Sequence, residues 1–186
     1  MKKLITIIIC LLILTGCKND YSKPWNINTY DADMSYYEGL NRSGHMFVGT
    51  TVGELKRLID EKGYGVFVFS HKFCAHCQIA MKMMNDVAEE LNVYIYYIDG
   101  YSDEYPIQDT ENYDILFDIL FDYLKEDENN EKAFFTPHIF SIIDGKIVES
   151  YIGTTWEGLD YTKTDEKNLK DIYRNILKPF APKNQD

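Results

Sequence analysis

The chain has 186 residues, of which 45% are hydrophobic, with fifteen Tyr and ten Phe. Lys2 and Lys3 would leave with an N-terminal leader that holds no acidic residue, so 17 basic side chains would face 30 acidic ones, a balance of −13. A surface this acidic lacks the basic face that nucleic acid requires and is repelled by anionic lipid. The length suits one domain with a dry core and is short for two.

Met1-Lys2-Lys3 is a short positive start, and Leu4 to Leu14 is apolar apart from Thr6. That run fits a signal-peptide core and falls short of the roughly 20 apolar residues of a spanning helix. Leu14-Thr15-Gly16-Cys17 follows. It resembles the lipobox of bacterial lipoproteins, which implies cleavage after residue 16 and diacylglycerylation of Cys17. Two or more acyl chains anchor a protein stably where one does so only marginally. The expectation is a lipid anchor on the extracytoplasmic face of a membrane. Residues 17–45 read as a tether, rich in Asn, Asp, Ser and Gly and without a sustained period, although Tyr21, Trp25, Tyr30, Tyr36 and Tyr37 could pack on a domain.

From residue 46 strand and helix signals alternate. Met46-Phe47-Val48 is a brief apolar run, and Thr51-Val52-Gly53-Glu54 matches a capping box ahead of Leu55, Leu58 and Ile59, with Gly63 ending the helix. Val66-Phe67-Val68-Phe69 reads as a strand buried on both faces. Ala80, Met84, Val87, Ala88 and Leu91 predict the next helix, and Val93–Ile98 the next strand. Tyr113, Leu116, Phe117, Leu120, Phe121 and Leu124 form a helical stripe that Ile115 and Ile119 widen beyond one buried face. After a polar break at 127–131, Ile139–Ile143 and Ile147–Ile152 flank Asp144-Gly145, a strong hairpin signal. Leu169, Ile172, Tyr173, Ile176 and Leu177 predict a closing helix from about Thr164 to Pro179. The order β-α-β-α-β-α-β-β-α implies an α/β fold with a mixed sheet and helices on both faces.

Of four cysteines, Cys10 lies in the leader and Cys17 is the lipidation residue, which leaves Cys74 and Cys77 as free thiols. They fall between a buried strand and a helix start, where unpaired N–H groups and the dipole favour a thiolate. The spacing lets one thiol attack a disulfide and the other resolve the mixed disulfide. Cys74, at the helix tip, is the expected attacker. His71, Lys72 and His76 flank the pair, and His76 is placed to stabilise the Cys74 thiolate, which leans the reading towards an oxidising or isomerising poise.

The strand, Phe73-Cys74-Ala75-His76-Cys77 at a helix start, and Thr136-Pro137 entering a later strand together resemble the thioredoxin superfamily, over about residues 46–182. The resemblance implies a thioredoxin-like three-layer fold with a C-terminal hairpin and helix, and an insertion at about 101–131. It also implies a cis Pro137, preceded by Thr136, facing the cysteines, and disulfide exchange on exported proteins, recharged by a membrane redox partner. No cofactor is implied. Cys-X-His-Cys is similar to the oxidising members, and with the lipobox it resembles Gram-positive lipoproteins of the bacteriocin-transport accessory type. Two features depart from the family: Val68 stands where many members bury a carboxylate that serves the resolving thiol, so Asp99 or a water becomes the candidate base, and Phe73 replaces the usual Trp. Two other readings stay open. Cys74, Cys77, His71 and His76 could form a metal-binding or delivery module, although structural zinc commonly uses two Cys pairs. The chain could also be a non-catalytic accessory of an export system.

Overall fold

Residues 20–183, apart from 108, 109 and 159, are described by a computed structural model. The leader, Cys10 and Cys17 lie outside the described residues. In chain order the elements are β1 (Phe47–Gly49), α1 (Val52–Asp60), β2 (Gly65–Ser70), α2 (Ala75–Leu91), β3 (Ile95–Asp99), α3 (Glu111–Leu120), β4 (Lys125–Glu126), β5 (Lys132–Ala133), β6 (His138–Ile143), β7 (Lys146–Ile152) and α4 (Lys163–Leu177).

Five strands form one sheet in the order β1-β3-β2-β6-β7. β1 and β2 run parallel to β3, whereas β6 pairs antiparallel with β2 and β7 with β6. β2 is buried along its whole length, as its unbroken apolar run requires. Its alternation divides the core. Val66 and Val68 face a cluster built with α2 and α4, and Phe67 and Phe69 face one built with α1 and α3. Asp144 and Gly145 both take positive φ, at 51° and 72°, in the tight turn that joins β6 to β7. Such a sheet, with helices on both faces and a closing hairpin and helix, is the three-layer thioredoxin-like fold.

Three details differ from the sequence expectation. Thr51 caps α1 by accepting from the Glu54 N–H at 3.2 Å, but Glu54 does not reach back to complete the box. Its carboxylate accepts instead from the Asn28 N–H at 2.9 Å and from Asn28 Nδ2 at 2.8 Å, and pairs with Arg57. The left-handed residue after α1 is Lys62, with φ 56°, and Gly63 follows it. A Cβ on Gly63 would lie 2.7 Å from Leu58 Cγ and 2.8 Å from Trp25 Cε2, so close approach requires the glycine. The polar break at 127–131 is the turn of a small hairpin, β4 against β5.

Much of the segment read as a tether lies on the domain. Tyr30 bridges to Gly49 on the outer edge of β1, and Ala32, Met34 and Tyr37 are buried in the same cluster as α2. His45 fastens the end of this segment. Its Nε2–H points at the Ala32 and Arg42 carbonyls, at 3.1 and 3.2 Å, while its Nδ1 accepts from the Phe47 N–H. The described residues contain no helix long and apolar enough to cross a membrane.

Candidate active site

β2 ends at Ser70, and four positions later Cys74 caps α2. Its backbone is extended, with φ −82° and ψ 115°, and its Sγ accepts from the Cys77 N–H at 3.1 Å. A cap position normally filled by a Ser or Asp oxygen is here filled by sulfur. No acidic residue occupies the first turn of α2, so the N–H groups and dipole end are left to favour an anion at Cys74. Gln78 holds the preceding loop, donating from Nε2 to the Lys72 carbonyl at 2.8 Å.

Cys74 and Cys77 are joined as a disulfide, with their Cα atoms 5.1 Å apart. Cys77 is fully buried against the sheet, while Cys74 is only partly covered. An incoming nucleophile or disulfide therefore meets Cys74. The Cys74 Sγ lies 3.3 Å from the Thr136 carbonyl oxygen, a distance at which the thiol of the reduced form donates to it. The Thr136–Pro137 peptide is cis. The Pro137 carbonyl in turn accepts from the Gly153 N–H at 2.8 Å, so the end of β7 braces this loop.

The flanking residues divide. Phe73 is 70% exposed beside the sulfurs, its ring edge-on to Tyr101 at 5.3 Å. Lys72 Nζ lies between Tyr36 and Phe73, 5.2 and 5.3 Å from their ring centres. His71 packs on Tyr101 at 4.7 Å, and burial holds its pKa below the usual histidine value against an opposing pull from Asp99. His76 turns to Thr154, with 3.1 Å between Nδ1 and Oγ1. Thr154 donates its single hydroxyl hydrogen to the Trp156 carbonyl, so its Oγ1 accepts and His76 Nδ1 carries the proton. Among the described residues no hydrogen bond joins His76 to Cys74.

Val68 is fully buried opposite Tyr97 in the strand register, on the side of the sheet that holds Cys77. Asp99 accepts from the Tyr101 N–H at 2.9 Å and has no hydrogen bond to either cysteine. What lies beside Val68 is a buried chain of hydroxyls. Tyr37 bonds to Ser70 Oγ at 3.0 Å and to the Tyr97 hydroxyl at 2.9 Å. Burial raises the Tyr37 pKa to about 12 and raises that of Tyr97 further, so both stay protonated donors. His138, next to Pro137, is a core residue. Its Nε2 meets Ser150 Oγ at 2.7 Å, and burial, with a smaller push from Lys125, lowers its pKa to about 4.

The four residues that could have formed a metal site do not converge on one point. The thiols are joined to each other, His76 points to Thr154 and His71 packs at a tilt against Tyr101. Among the described residues no three His, Cys, Asp or Glu side chains cluster as a metal would need.

No family model matches the chain, and neither does any curated protein. Solved structures to which it is similar include three thioredoxins. That of Trypanosoma brucei brucei is 17% identical with a TM-score of 0.44, over 75% of this chain and 98% of the other. That of Malassezia sympodialis is 12% identical with a TM-score of 0.42, over 72% and 92%. That of Fasciola hepatica is 17% identical with a TM-score of 0.40, over 68% and 94%. The strand order and mixed pairing, with a Cys-Ala-His-Cys disulfide at the head of α2 and a cis proline against it, give this chain a thioredoxin-like fold with a candidate redox centre.

Proposed function

We propose that the protein is a thiol–disulfide oxidoreductase that acts on exported proteins from the extracytoplasmic face of a membrane, held there through a lipidated Cys17. One observation carries the chemistry. A partly exposed Cys74 sulfur sits at a helix N-terminus, bonded to a fully buried Cys77 and facing the carbonyl before a cis proline.

Electrons balance in either direction. In the oxidised form a substrate thiolate attacks Cys74 Sγ, a mixed disulfide forms and Cys77 leaves as a thiolate. A second substrate thiolate then attacks the substrate sulfur of that bond. The substrate leaves with a disulfide, and Cys74 and Cys77 hold two electrons. In the reverse direction the Cys74 thiolate attacks a substrate disulfide and releases one substrate thiolate, and Cys77 then attacks Cys74 Sγ of the mixed disulfide, which releases the second and leaves Cys74 and Cys77 joined. A membrane-bound disulfide or dithiol partner restores the starting state. The Cys77 N–H and the helix dipole stabilise Cys74 as the leaving thiolate in the first direction and as the attacking one in the second. Cys77, buried beside Val68 and the Tyr37 hydroxyl chain, resolves the mixed disulfide without a carboxylate at position 68.

A Cys77→Ala variant is expected to accumulate mixed disulfides between Cys74 and client proteins, visible as reducible high-mass species. If a Cys74→Ala, Cys77→Ala variant still complements a deletion in full, the cysteines are dispensable and the chain is an accessory module. Cys17→Ala is expected to move the protein from the membrane fraction to the soluble one, and unchanged membrane retention would contradict the anchor.

A further inference from the structure

Helix α3 carries more aromatic surface than the core takes. Leu116 and Leu120 are fully buried, whereas Tyr113 and Phe117 on a neighbouring face, and Phe121 in the 3-10 turn (Phe121–Tyr123) that continues the helix, follow one another at i, i+4 and i+8. Their rings stand 6.0 and 5.6 Å apart in succession. Phe134 packs edge-on against Tyr113 at 5.1 Å and Phe117 at 5.7 Å, and rests on Phe69 at 5.3 Å. Tyr113, Phe121 and Phe135 remain 37%, 47% and 38% exposed. The chain itself links this row to the redox centre, because Phe134 and Phe135 lead directly into Thr136, whose carbonyl faces Cys74.

Asp114, Asp118 and Asp122 each follow one of these aromatics by a single residue. All three stand exposed, as does Glu111 at the start of the helix. None of the four carboxylates takes part in an ion pair among the described residues, in contrast to the paired acids along α1, α2 and α4. Side-by-side exposed aromatics mark a surface for a partner, and the unpaired charges state the partner's sign. A second copy would bring the same four acids, and an anionic membrane would bring more negative charge; both are repelled.

We propose that this face of α3, with Phe134 and Phe135, receives a cationic, apolar stretch of the cysteine-bearing polypeptide. Its Lys or Arg heads meet Asp114, Asp118 and Asp122, its apolar side chains and alkyl stems lie on the aromatic row, and its cysteine is delivered past Thr136 to Cys74. The proposal rests on the oxidoreductase reading and supplies its substrate class.

The test uses the full chain and two short peptides, each closed by one disulfide and alike in apolar residues, one interleaved with Lys and the other with Glu. Second-order exchange rates with the reduced protein are compared for wild type, for an Asp114→Asn/Asp118→Asn/Asp122→Asn variant and for Phe121→Ser, with 2-hydroxyethyl disulfide, a small uncharged reagent, as the control of the sulfur chemistry. The Lys peptide is expected to react about tenfold or more faster than the Glu peptide at low salt, and the ratio to collapse in the triple variant or at about 0.5 M salt. Phe121→Ser is expected to slow the Lys peptide without changing the rate with the small disulfide. Equal rates for the two peptides with wild type overturn the proposal. So does a dimer that Phe121→Ser abolishes, or binding of the face to neutral lipid vesicles. If no form of the protein reacts with the small disulfide, the oxidoreductase reading fails on its own. The surface is then judged by equilibrium binding, where a Lys peptide bound no more tightly than the Glu peptide overturns it.

Discussion

Tyr37→Phe removes one oxygen from the middle of the buried hydroxyl chain and changes little else in shape. In the native protein Tyr37 bonds to both Ser70 and Tyr97, and among the described residues it is the one side-chain hydrogen-bond partner of each. Two bonds of about 1 kcal/mol net are lost, and two hydroxyls are left unpaired in a dry site, so the cost is about 2–4 kcal/mol. Tyr97→Phe removes a terminal hydroxyl and leaves the Tyr37–Ser70 bond standing, so it costs about 1 kcal/mol. Urea unfolding of the oxidised protein, followed by the fluorescence of Trp25 and Trp156, measures both. The order of the two variants matters more than either value, because only a central position in the chain makes Tyr37 the costlier loss. A Tyr37→Phe effect no larger than that of Tyr97→Phe would refute the hydroxyl chain. An effect near zero would also show that the segment before β1 is a tether after all.

His138 makes stability depend on pH. Its folded pKa of about 4 lies below the ordinary 6.5, so between those values the unfolded chain binds a proton that the folded one refuses. Stability is therefore complete above about pH 6.5 and is lost as pH falls towards 4, by at most about 3 kcal/mol. His138→Gln is expected to flatten that slope, and an imidazole resonance titrating near 6.5 would contradict the burial argument. Gly63→Ala forces a Cβ against Leu58 and the Trp25 ring, an overpacking cost of about 1–3 kcal/mol in the same unfolding assay; a neutral effect would mean that the Trp25 loop yields freely.

The alternation of strand and helix could be read from the chain because each element announces itself locally. β2 is an unbroken apolar run, Asp144-Gly145 marks a hairpin, and the residues facing the core on α2 and α4 recur at helical spacing. The cysteine pair was legible for the same reason, as a thiol capping the helix it begins. What escaped depends on contacts distant in sequence. Tyr37 meets Ser70 and Tyr97 from 33 and 60 positions away, and Glu54 abandons its own capping box for Asn28, 26 positions back. The segment 20–45 buries Met34 and Tyr37 one at a time, without a repeat, so its lack of period resembled a linker. His76 illustrates the limit at the site itself. Its position between the cysteines suggested a partner for the Cys74 sulfur, but Thr154, brought in by the end of β7, claims its Nδ1. The breadth of the α3 stripe, by contrast, was visible in the sequence, and the structure leaves Tyr113 and Phe121 partly exposed, beside acids that form no ion pair among the described residues.

The central claim is that Cys74 and Cys77 exchange electrons with other thiols, with Cys74 as the reacting sulfur. Equilibrating the full chain across glutathione redox buffers, quenching by alkylation and locating the modified cysteines by mass tests it most directly. The account predicts one two-electron transition, with Cys74 in the reduced protein alkylated at neutral pH faster than a free cysteine and well ahead of the buried Cys77. A pair that stays in one redox state across all buffers, or a Cys77 that is modified first, would contradict it.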